Sequence, residues 1–138
     1  MQGRDVTAEE LDHKLLTVLQ SVDAGAEIGH FSDYMQGGHD QLMLVQPIGE
    51  NQQDKGHPTA DLIAVRYALV IAVNLSKMPY TDALTRLRGL TRQLRSALRA
   101  GVLTPGDRPR PEFEIGRPEQ GQWLVAESVI SIAITESD

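Results

Sequence analysis

Residues 63–75, IAVRYALVIAVNL, decide the fold. Ile63, Val65, Tyr67, Leu69, Ile71, Val73 and Leu75 alternate with Ala64, Arg66, Ala68, Val70, Ala72 and Asn74. A period of two held this long marks a β-strand, because successive side chains point to opposite faces. One face is large and apolar, and the other is small. The strand reaches roughly 43 Å at ~3.3 Å per residue. A domain of 138 residues has a diameter of about 37 Å. The strand therefore crosses the whole domain, and any end that protrudes needs a partner for its backbone groups.

The neighbouring segments supply what that strand packs against. Upstream, Gln41-Leu42-Met43-Leu44-Val45-Gln46 reads as a second strand stopped by Pro47. A polar connection, residues 47–60, follows it, with two Gly and two Pro. Loops this long in compact domains are usually functional or mobile. Further upstream, Gly25, Gly29, Gly37 and Gly38 break up residues 23–40 into a long loop or a short irregular element. Before it, Thr7-Ala8-Glu9-Glu10 has the capping-box pattern, and Leu11, Leu15, Val18, Leu19 and Val22 recur at helical spacing. This predicts a helix from Ala8 to Val22.

Downstream, Ser76–Tyr80 turns the chain, and Thr81 or Asp82 caps a second helix with Ala83, Leu87, Leu90, Leu94 and Leu98 as its buried stripe. Gly101 ends it as a C′ residue. Residues 102–122 form a Pro/Gly-rich stretch that holds a short strand candidate at Phe113 and Ile115. Trp123 to Ile134 gives the last strand, with Leu124, Ala126, Ile130, Ile132 and Ile134 on one face, in a hairpin with the short one. The order helix, strand, strand, helix, strand, strand predicts a single α+β domain. Its sheet is expected to be four-stranded and mainly antiparallel, with both helices on one face.

Composition narrows the function classes. Apolar residues make up 41% and charged residues 23%, ordinary globular usage. Cysteine is absent, which excludes disulfides, a thiol nucleophile and a Cys-based zinc site. The longest mainly apolar, uncharged run, Tyr67 to Ser76, is too short for a membrane helix. Met1-Gln2-Gly3-Arg4-Asp5 lacks the apolar core of a signal peptide. His30, Asp33, His39 and Asp40 match no established metal-ligand spacing, and there is no phosphate loop or nucleophile elbow. Neither catalysis nor a cofactor is expected.

Charge is unevenly distributed. The net charge is −6, yet residues 62–106 carry a balance of +6 between acidic segments at −8 and −4. Arg88, Arg92, Arg95 and Arg99 lie at spacings of 4, 3 and 4, on one helix face. Like charges so placed repel, and after Asp82 the helix has no acid to offset them. Three readings follow. The face is solvated and paired with Glu112, Glu114 or Glu119 of the same subunit; or it is a subunit or partner-protein interface, together with Arg66; or it binds nucleic acid. The acidic remainder of the chain and the lack of interleaved aromatics weigh against the third.

The helix 8–22, the loop leading to a strand, the long strand AVRYALVIAVNL (64–75), the helix LTRLRGLTRQLRSALRAG (84–101) and the closing VAESVISIAI (125–134) together resemble the tail-terminator family of long-tailed bacteriophages, including the small tail proteins of Mu-like phages. The resemblance spans roughly Leu11 to Thr135. It implies a structural virion protein, made in the host cytoplasm, that forms a ring, typically a homohexamer, at the head-proximal end of the tail. Such a ring ends tube polymerisation and meets the tail tube protein on one side and the head-side connector or neck protein on the other. The family has no catalytic residues to carry over. Another neck or tail-completion protein, a small nucleic-acid-binding module and a small-molecule-binding or enzymatic domain stand as alternatives.

Overall fold

The computed structural model describes residues 7–34, 38–54, 60–101, 109–116 and 122–137. Helix α1 spans Ala8–Gln20 and helix α2 Tyr80–Ala100. The strands are β1 (Glu27–Ile28), β2 (Gln41–Asp54), β3 (Ala60–Asn74), β4 (Glu114–Ile115) and β5 (Trp123–Ser137). They form one five-stranded sheet in the order β1-β2-β3-β5-β4. The α+β class matches the sequence, but the sheet has a fifth strand and is mixed. The added strand, β1, runs parallel to β2 and pairs only at Leu44 and Val45. It lies inside the stretch read as loop, and two residues are too few to show a periodicity.

The long strand sets the layers. Val65, Tyr67, Leu69, Ile71 and Val73 on β3 join Met43 and Val45 of β2 and Leu124, Ala126, Ile130, Ile132 and Ile134 of β5 in the main core. Leu11, Leu15 and Leu19 of α1 and Ala83, Leu87, Leu90, Leu94 and Leu98 of α2 cover them. Both helices thus lie on the large apolar face. The opposite, smaller face carries Ala68, Val70 and Ala72 with Leu42, Leu44 and Trp123. There Phe31 and Tyr34, from the segment after β1, pack on it, and the Phe31 ring meets Trp123 edge-on at 5.9 Å.

Four local expectations need correction. Pro47 does not stop β2, which continues to Asp54, so most of the connection read at 47–60 is strand and residues 55–59 lie outside the described ones. The Val45 carbonyl accepts from Gly29 N–H at 3.0 Å, so the backbone groups of Val45, and of Pro47 two residues on, face away from β3. β1 ends beside Val45. Pro47 therefore sits on an edge, where a missing N–H costs no ladder bond. A bulge follows at once: Pro47 opposes Tyr67, Gly49 opposes Arg66 and Ile48 is the extra residue.

Helix α2 starts at Tyr80, with Pro79 as N-cap and no side-chain cap, not at Thr81 or Asp82. Gly101 ends it in extended geometry (φ −75°, ψ 145°), not in the left-handed C′ conformation. What Gly101 provides is room: a Cβ there would meet the Ala97 carbonyl and Val18 Cγ2, both at 3.1 Å. At α1 the expected cap is present, with Glu10 N–H donating to Thr7 Oγ1 at 3.1 Å. The helix ends at Gln20, short of Val22.

Candidate functional site

Helix α2 has the composition of an outer helix whose buried stripe and cationic stripe adjoin. Leu87, Leu90, Thr91, Leu94 and Leu98 are buried. Arg88, Arg92, Arg95 and Arg99 are exposed on the flank beyond Thr91. Among the described residues none of the four is ion-paired, and neither Glu112 nor Glu114 serves as the intrasubunit partner considered above; Glu119 lies outside those residues. The helix stripe is thus as the spacing predicts. Arg66 is not part of it. It occupies an even position of β3, on the small face, so the sheet stands between it and α2. The alternation of residues 63–75 already carried that signal.

The sheet edge gives the arginine flank a wall. β4 pairs with β5 through Glu114–Glu127 and Ile115–Ala126, which brings residues 113–115 alongside α2. A groove of about 320 Å³ opens between them, lined by Arg88, Thr91, Arg92, Arg95, Phe113 and Ile115. The wall opposite the arginines is apolar: Phe113 packs on the main core, and Ile115 is 39% exposed. The Thr91 hydroxyl donates to the Arg88 carbonyl at 2.9 Å, so among the described residues the guanidinium groups are the donors that the groove offers. Arg92 also borders a second groove, with Ser21, Val22, Gln93, Ser96 and Ala97, where α1 ends against α2. Sequence spacing could not pair the helix with Phe113 and Ile115, because that contact depends on the hairpin register.

The second exposed feature is the edge of β5. β4 covers it only at Ala126 and Glu127. Among the described residues no strand pairs with the outer side of β5 at Val129 and Ser131. Residues 128–135, SVISIAIT, contain no charge, and Val129 is 53% exposed. The register with β3 is unbroken from Trp123 to Ser137. The corresponding edge of β2 is interrupted by register shifts between Pro47 and Gly49 and between Gln52 and Asp54. β3 has fifteen residues, about 50 Å of extended chain, so these outer strands run the length of the molecule.

Two buried polar groups were not singled out in the sequence. The Tyr67 hydroxyl, buried under α1, donates to the Asp12 carboxylate at 2.5 Å. Burial, and then that bond, push the phenol well above its ordinary value of 10.0. Asn74, 2% exposed, ends β3 as a turn node. Its amide donates to the His39 carbonyl at 3.1 Å, and its carbonyl oxygen accepts from Ser76 N–H at 2.9 Å and from Ser76 Oγ at 2.7 Å. Both are scaffold contacts.

Among the described residues no three His, Asp or Glu side chains gather so as to hold a metal ion. No helix is long and apolar enough to cross a membrane. No protein-family model matches the chain, and no curated protein matches its sequence.

Proposed function

We propose that this chain is a structural protein that works as a ring of identical copies, a terminator of a phage tail tube that joins the tube to the head-side connector. The single observation that carries the ring is the outer edge of β5, a regular, uncharged strand edge on which, among the described residues, no strand lies beside Val129 and Ser131. Proteins that stay monomeric blunt such edges with charges, prolines or bulges. β2 has two of these devices, Pro47 and its register shifts, and β5 from Ser128 to Thr135 has none. A ring joins unlike surfaces of successive copies, so one copy's β5 edge meets a different patch on the next. The uneven charge along the chain supplies further unlike patches, acidic at both ends and basic in the middle. The arginine flank of α2 adds a surface fitted to another protein. On this reading the chain is not an enzyme and needs no cofactor. It acts in the virion, against the tail tube protein and a neck protein.

Light scattering on the purified chain tests this. The expected mass is several times the 15.2 kDa of one copy, six times for a hexamer, and electron microscopy of the same sample should show closed rings. A mass of one copy at every concentration overturns it. The position of the protein in an assembled particle then separates a tail terminator from another neck or tail-completion protein.

A further inference from the structure

We propose that the groove between α2 and β4 is a docking site for an extended acidic peptide segment of a partner protein. This rests on the reading of the chain as an assembly protein, but assigns the arginine flank to the partner and leaves the β5 edge to the ring.

Three observations carry it. First, Arg88, Arg92 and Arg95 line one groove, and none has an acidic partner among the described residues. Successive arginines three and four residues apart on a helix repel each other, so an anion in the groove relieves a cost that the free protein bears. Secondly, the opposite wall is apolar. Phe113 and Ile115 alternate with Glu112 and Glu114, and the first two line the groove. A ligand with carboxylates on one side and apolar side chains on the other matches both walls, and a peptide strand with alternating residues has that form. Thirdly, β4 is the last strand of the sheet among the described residues, and an added strand on such an edge is the usual way a peptide extends a sheet.

The chemistry of the cations favours carboxylates. Guanidinium groups bind them through paired, parallel hydrogen bonds. A nucleic acid fits less well. Its backbone would have to run on past Glu112, Glu114 and Glu127, which are exposed along the same edge, and the ring of Phe113 is packed on the main core and does not stand out to stack a base. The apolar wall would also meet only phosphate and sugar.

The test uses the full chain and a fluorescein-labelled eight-residue peptide of alternating Glu and Val, followed by fluorescence anisotropy. The controls are a Lys/Val peptide of the same length and an oligothymidylate of equal length. Saturable binding of the Glu/Val peptide is expected, weakening as salt rises, with no binding of the Lys/Val peptide. Arg88→Gln combined with Arg95→Gln should weaken it about tenfold or more. Ile115→Glu should weaken it as well, by placing a carboxylate in the apolar wall. Both changes are at exposed positions, and light scattering on the same samples should show an unchanged mass. No saturable binding of the acidic peptide overturns the proposal, as does tighter binding of the oligothymidylate. If the arginine variants instead lose the oligomer, the arginines hold the ring together and the groove assignment fails while the ring stands. If the wild-type chain is a monomer that binds the peptide, the ring fails and the groove stands.

Discussion

Tyr67 shows how one residue of the core-facing strand ties two layers together. Its ring is wholly buried, and its hydroxyl reaches the half-buried Asp12 on α1. A hydrogen bond to a charged group contributes about 1.5–3 kcal/mol. Water can reach Asp12 if the tyrosine oxygen is removed, so Tyr67→Phe should cost near the lower end, about 1.5 kcal/mol at pH 8. The pH dependence follows from the raised pKa. Above pH 10 the unfolded chain releases the phenolic proton and the folded chain retains it. The contribution is therefore complete below pH 10 and is lost as pH rises, at about 1.4 kcal/mol per unit for one proton. The stability gap between wild type and Tyr67→Phe should consequently close by about pH 11. Urea midpoints of both proteins at pH 8 and pH 11 check this, and a gap that stays constant would show that the phenol titrates normally.

Among the elements, those with a sustained period were legible in the sequence, and those defined by tertiary context were not. The alternation in β3 and β5 and the stripes of α1 and α2 identified the sheet's centre and its helical cover, because burial on one face imposes the pattern. The arginine stripe followed from the same helical spacing. Pro47 read locally as the end of a strand and Gly49 as part of the connection after it, yet β2 runs past both, because an edge tolerates a missing donor and a bulge uses a glycine. Phe31 and Tyr34 carried no pattern that assigned them to the small face of the sheet. The groove at α2 needed the β4–β5 register to bring up its second wall. Gly49 makes the bulge testable. Its φ is +153°, a region that side chains rarely adopt, and a Cβ there would meet nothing within 4 Å. Gly49→Ala should therefore destabilise by about 1–3 kcal/mol through backbone strain alone. Gly89, inside α2, also has open space around a Cβ. Gly89→Ala should stabilise by about 0.5–1 kcal/mol, since alanine is the better helix former. Thermal melts of the two variants should shift in opposite directions, and a Gly49→Ala melt equal to wild type would remove the conformational role of the bulge.

At the scale of the whole molecule, the uncharged outer edge of β5 decides whether the chain is complete alone. The Val125 carbonyl accepts from Gly116 N–H at 3.0 Å, so the backbone groups of Val125 point outward, away from β3. The unbroken register then places those of Glu127, Val129 and Ser131 outward too. A proline at Ser131, an exposed position, removes one outward donor and leaves the β3 ladder intact. A proline at Ile132, buried and facing β3 with its backbone groups, breaks that ladder. Ser131→Pro should therefore give folded protein with a circular-dichroism spectrum like that of wild type and the mass of one copy in light scattering. Ile132→Pro should fail to fold. Backbone pairing is largely indifferent to ionic strength, whereas contacts through exposed arginines weaken with salt. The wild-type oligomer should accordingly keep its mass in high salt while losing the acidic peptide. A Ser131→Pro chain that retains the wild-type mass would show that the β5 edge is not where copies meet.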